Sequence, residues 1–294
     1  MKNAIIYRIT DGLPVLAESL SRLLDKSRFM PCPTLSMSSS GWILPAGHST
    51  SMAHQVGQYI AISMQTESKI LPRSVIVRAT NERAAQIERA EGWRVGHKER
   101  KEIAESVTLD LLPKAFTKID RVNAYIDIGN ARLMVDTAST ARAEGLLSLF
   151  LDSVDGIGVD SFRVAKRPSQ IMASWICGQT PDCITIDDEA TLVRDDETKK
   201  TVKYQNHNLD TVDILNHLGE GKLPTRLAVT YNDRVSFSIT DKLQIKRISL
   251  IDTIKPVADE QDEGERFDAD VALFCGEMAL AISAIEAEMG GPAE

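Results

Sequence analysis

The order of apolar and polar positions divides the chain into strands and helices. "AIIYRI" (Ala4 to Ile9) is apolar and β-prone, and the following "LPVLAESLSRLLDK" sets Leu16, Leu20, Leu23 and Leu24 on one helical face. In "MSSSGWILPAGHS", Gly41, Pro45 and Gly47 predict irregular structure, after which "QYIAISMQTE" alternates as a strand does. From Pro72 the period becomes helical, with Ile76, Ala79, Arg83, Ile87 and Ala90 three or four residues apart. "EGWRVGH" interrupts that stripe with Gly92 and Gly96, and Ile103, Val107 and Leu111 resume it as far as Pro113. Two helices are expected, ~28 Å over Arg73 to Glu91 and ~22 Å over His97 to Leu111, folded back on each other as an antiparallel hairpin.

"NAYIDIGNARLMVDT" predicts a β-hairpin: Ala124, Ile126 and Ile128 alternate, and Gly129-Asn130 supplies the turn. A helix with Ala143, Leu146, Leu147 and Phe150 on its apolar side follows, then the strand "VDSFRVAK". Beyond Pro168 a short helix is expected around Met172 to Cys177, then a polar, irregular run, "DDEATLVRDDETKKTVKYQNHN". The helix "LDTVDILNHLGEG", three strands ("TRLAVTY", "RVSFSIT", "LQIKRISLI") and a last helix from Asp270 to Met289 complete the chain. The fold class is therefore α+β, antiparallel sheets with packed helices and an inserted helical-hairpin arm. The expected division is a discontinuous central domain (1–71 and 119–166), the arm (72–118) and a C-terminal domain (167–294).

Composition narrows the function. The 294 residues include 43% hydrophobic and 26% charged side chains, as in ordinary globular proteins, while 5% aromatics weigh against a base-stacking platform. The four cysteines have no recognised metal spacing and predict reduced thiols, and no apolar run approaches the ~20 residues of a membrane helix, so a cytoplasmic protein is expected. The formal charge of −8 argues against nucleic acid, but its distribution argues for it. Lys69 to Arg121 holds 12 Lys+Arg against 8 Asp+Glu, a local +4, while "ADEQDEGERFDAD" (Ala258 to Asp270) holds seven acids and one arginine. A solvated helical arm would give the same basic stretch.

Catalytic motifs are missing from the sequence: no phosphate-binding glycine loop, no GxSxG elbow and no HExxH pair. His48 and His54 share a loop and could pair, although exposed loop histidines usually coordinate nothing. The acid clusters "IDDEA" (Ile186 to Ala190) and "FDADV" (Phe267 to Val271) could surround a divalent ion, and in a strand Asp268 and Asp270 would point to one face. A metal-dependent nuclease is accordingly one alternative. An acidic factor that contacts a recombination protein directly is another. A non-catalytic protein without cofactor is preferred.

Several stretches together resemble the RdgC family of bacterial recombination-associated proteins: "GWILPAG" (Gly41 to Gly47), "KILP" (Lys69 to Pro72), "LLPKAF" (Leu111 to Phe116), "LMVDTASTARAE" (Leu133 to Glu144), "GKLPTRLAV" (Gly221 to Val229), and "RFDAD" with "GEMA" (Arg266 to Ala279). Their order and spacing cover the whole chain. The resemblance implies a nucleoid-associated homodimer closed into a ring around double-stranded DNA, with largely sequence-independent binding that restrains the RecA recombinase. Single-stranded DNA is a second candidate ligand.

By the same resemblance Phe116, with Leu112 beside it, is a protomer contact, and Lys114 and Lys118 flank it near a DNA phosphate backbone. Lys69, Arg73, Lys203, Lys222 and Arg226 are further candidate DNA contacts. Asn206 and His207 stand where the resemblance leads one to expect a Lys-Gln pair, which leaves that loop as a weaker DNA grip or a second protomer contact.

Overall fold

The computed structural model describes residues 1–14, 16–251 and 263–293. Among them are twelve β-strands and seven α-helices, and their contacts gather into two units.

The larger unit comprises 1–26, 44–63 and 122–294. It contains β1 (Asn3–Asp11), α1 (Ala17–Asp25), β3 (His54–Val56), the first part of β4 (Tyr59–Ile70), the last part of β5 (Phe116–Asp127), and β6 (Arg132–Val135). Then follow α4 (Thr140–Ser153), β7 (Gly158–Ser161), α5 (Pro168–Ile176), β8 (Ile184–Arg194), β9 (Thr201–Tyr204), α6 (Val212–Gly219), β10 (Lys222–Tyr231), β11 (Val235–Thr240), β12 (Ile245–Leu250) and α7 (Glu263–Glu288). Its strands run in the order β4-β5-β6-β1-β12-β11-β10-β8-β9, with β3 added to β4 and β7 to β1, and the assigned registers are antiparallel.

The β10–β11 turn follows from local chemistry. Asn232 and Asp233 have φ of 47° and 53°, a left-handed pair that asparagine and aspartate tolerate and that matches strand twist. The core draws Met172 and Trp175 from α5, Ile214 from α6, and Val271, Cys275, Met278, Ile282 and Ile285 from α7 onto Met134, Leu227, Val229, Phe237 and Ile245 of the sheet. Cys275 is so enclosed that burial pushes its thiol pKa up to about 12, and it is chemically inert. In α1, Leu20 and Leu24 are buried as the stripe requires, whereas Leu16 precedes the helix and is exposed.

The smaller unit, 27–43 and 64–121, contains β2 (Ser38–Ile43), the outer part of β4, α2 (Arg73–Glu91), α3 (His97–Leu111), a 3-10 turn at Leu112–Lys114 and the start of β5. The helix bounds are those predicted. Pro72 stands at the cap position before α2, and Gly92 ends α2 in the left-handed conformation at φ 80°. Ala84, Val95, Ile103 and Val107 pack the two helices together, with Ala79, Ile87 and Leu111 at the margin. Arg83 is exposed and reaches Asp110 at 2.7 Å.

Three sequence expectations are corrected. The segment around Gly41 is not irregular but carries β2: a Cβ at Gly41 would lie 2.4 Å from the Phe29 backbone, so the glycine serves close packing rather than a turn. The polar run after Ile186 is not irregular either, because β8 and β9 occupy it, with Ala190 and Leu192 as the buried positions. The last helix begins at Glu263 rather than Asp270, so Asp268 and Asp270 are on a helix and not on a strand. Two residues apart on a helix they point to different sides, about 200° around the axis, and form no paired-carboxylate site.

Candidate nucleic-acid interface

In the smaller unit the chain leaves α3 through the Leu112–Lys114 turn, which Pro113 favours, and enters β5 at Phe116. Leu112 turns inward and is buried at 2% exposure. Phe116 does the opposite. Its ring is 85% exposed, and Ile119 on the same strand and Ile70 at the end of β4 are also exposed. Lys114 and Lys118 flank Phe116, both exposed. Lys118 Nζ lies 2.9 Å from Asp120 Oδ2, whereas Lys114 has no ion-pair partner among the described residues. Arg73, exposed in the first turn of α2, and Lys69, half-buried on β4, are likewise without an ion pair there. Phe116 is thus a solvent-facing apolar side chain with a lysine two residues away on each side, one of them paired with Asp120.

In the larger unit the candidates separate. Lys203 is exposed on β9. Lys222 is 6% exposed; its ammonium pairs with Glu220 and donates to His217 Nδ1 at 2.9 Å, so its charge is already balanced. The same contacts, Lys222 first and then His217, hold the Glu220 carboxyl below its usual pKa. Arg226 is half-buried on β10, its pKa lowered by burial and then by Arg247, with Glu189 opposing. Arg247 on β12, 53% exposed, pairs with Glu189 at 2.5 Å. Its φ of 56° breaks the alternation of β12, so its side of the sheet could not be read from the sequence.

Asn206 and His207 lie in the exposed loop between β9 and α6. Asn206 has φ 51°, and the His207 ring nitrogen Nδ1 donates to the Asn208 carbonyl at 2.7 Å. Asn206 borders a cleft of about 660 Å³ that also exposes Asp187, Asp188 and Asp210. Burial raises the Asp187 pKa, chiefly opposed by Thr230, whose hydroxyl donates to the carboxylate at 3.0 Å. Three carboxylates make this cleft a poor phosphate site.

His48 and His54, which share a loop and were a possible pair in the sequence, do meet, and Asp268 joins them. His48, in the loop after β2, and His54, opening β3, both direct Nε2 at Asp268 Oδ1 on α7, at 3.6 and 2.7 Å. No sequence signal joins residues 214 positions apart.

A family model described as "Putative exonuclease, RdgC" matches residues 1–292. A "Recombination-associated protein RdgC" of Janthinobacterium sp. (strain Marseille) is 37% identical over 296 residues, covering the whole chain and 98% of that relative. Proteins of the same name from Cupriavidus pinatubonensis and Bordetella pertussis are 36% and 33% identical, each over 99% of this chain and 98% of the relative. With the family matched from the first strand to the end of α7, the chain belongs to the RdgC family of recombination-associated proteins.

Proposed function

We propose that the chain is a non-catalytic, largely sequence-independent binder of double-stranded DNA. It acts as a homodimer closed into a ring and limits the access of RecA to duplex. The observation that carries this reading is the Phe116 ring, 85% exposed and flanked by Lys114 and Lys118. A large apolar side chain held in water by a strand is costly unless something covers it, and a second copy brings the same ring to the contact. The neighbouring lysines are point charges suited to phosphate oxygens, and the +4 balance of Lys69 to Arg121 concentrates attraction for a polyanion there within an acidic protein. Full-length similarity to proteins named for recombination supports a place in that process.

In this reading Lys69, Arg73, Lys114, Lys118, Lys203 and Arg226 contribute phosphate contacts. Lys222, already neutralised, contributes least. The carboxylate-lined cleft beside Asn206 disfavours phosphate there and so supports reading that loop as a second protomer contact rather than a DNA contact. The test is Phe116→Ser, followed by sedimentation and by binding to random-sequence duplex. Losing burial of the two rings, one from each copy, removes roughly 2 kcal/mol apiece, so dimerisation weakens by about 1000-fold and DNA affinity falls with it. Unchanged sedimentation and binding would refute the contact. Duplex and single-stranded DNA incubated with Mg²⁺ or Mn²⁺ stay intact in this account, and progressive shortening would instead establish a nuclease.

A further inference from the structure

We infer that His48, His54 and Asp268 form a binding site for a transition-metal cation of the zinc type, tying the loop before β3 to the start of α7. The three side chains offer ligand atoms that all lie within 4.8 Å of one another. Both imidazole Nε2 atoms converge on the same carboxylate oxygen, at 2.7 Å from His54 and 3.6 Å from His48. A tetrahedral ion with bonds near 2.0–2.2 Å separates its ligand atoms by about 3.3 Å, so the two observed distances bracket the required one. A plain histidine–carboxylate hydrogen bond needs one imidazole. The second, with its ring plane at 89° to the first and centroids 5.0 Å apart, is placed as a further ligand would be.

The surroundings hold that arrangement. Phe267 packs edge-on against both rings, at 5.8 Å from His48 and 5.9 Å from His54, which restricts their rotation. Gly264 leaves room for the His48 ring, since a Cβ there would fall 3.0 Å from it. His48 also borders a cleft of about 610 Å³ lined by Glu263, Arg266 and Asp270, so its ring is reachable from solvent. Two imidazoles and one carboxylate suit zinc and its neighbours; magnesium and calcium prefer an all-oxygen shell. This inference does not depend on the DNA-binding reading.

The test titrates chelator-treated full-length protein with Zn²⁺ by calorimetry and repeats it with His48→Ala, His54→Ala and Asp268→Asn. The expected result is one ion per chain, a melting temperature raised by several degrees at saturating metal, and at least a tenfold loss of affinity in each variant. Affinity weaker than about 100 μM, or affinity kept within tenfold by any of the variants, overturns the site. Should a variant fail to fold, Co²⁺ bound to the unaltered chain decides. Intense visible bands of a four-coordinate ion without sulfur charge transfer support the site. Weak octahedral bands, or a thiolate band from a cysteine, overturn it.

Discussion

Glu286 on α7 lies between two arginines. It pairs with Arg8 of β1 and, at 2.5 Å, with Arg132 of β6, and both guanidinium groups stand over the Phe162 ring at 5.7 and 5.6 Å. Arg132 is 4% exposed and also donates to Ser283 Oγ at 2.9 Å. Removing Glu286 strands the Arg132 charge in the interior while Arg8 can still reach water, so Glu286→Gln should cost about 3 kcal/mol in a denaturant titration. Asp187 tests the opposite sign. Its folded pKa is raised by burial, so the folded state holds the proton more tightly than the unfolded state and ionisation at neutral pH disfavours folding. Asp187→Asn should raise the melting temperature at pH 7 by about 1–2 °C, a modest figure because solvent screens a half-buried group, and the gain should vanish near pH 3.5, below the unfolded pKa. Single-residue chemistry was partly legible in the sequence. Lys114 and Phe116 stand exposed, which the family resemblance implies and the residues by themselves do not, since the same turn buries Leu112. The neutralisation of Lys222 and the meeting of His48, His54 and Asp268 were not legible. Both depend on which elements the fold brings side by side.

Elements were read best where punctuation and period agreed. Pro72, Gly92 and Gly96 bound α2 and α3 as predicted, and Asn232-Asp233 sets the β10–β11 turn. Reading failed where a strand is built largely from polar residues. β8 runs through "DDEATLVR" because pairing on both edges, to β10 and β9, satisfies its backbone, and Ala190 and Leu192 suffice to anchor it. β2 was hidden by Gly41, whose lack of a side chain lets the strand lie against Phe29 while Trp42 is fully buried. Gly41→Ala should therefore destabilise the protein by roughly 1–3 kcal/mol, since backbone rather than a flexible side chain must yield. Trp42→Ala should cost about 3–5 kcal/mol. Thermal unfolding of both variants checks the pair, and a neutral Gly41→Ala would mean that the close approach is not needed.

For the whole molecule, the central claim is that an acidic protein holds DNA by enclosing it rather than by reading bases. Two of its consequences differ from those of an open binder. Affinity depends on phosphates alone, so log K should fall against log salt with a slope of about −0.9 per neutralised phosphate and be indifferent to sequence. A closed ring should also stay on DNA that has no ends after the electrostatic attraction has been screened. The most direct measurement loads the protein on random-sequence duplex at low salt, raises the salt, and compares retention on a closed circle with retention on the same molecule cut once. Retention on the circle and release from the linear form are the predicted result. Equal loss from both forms would contradict encirclement and leave an open, non-topological contact.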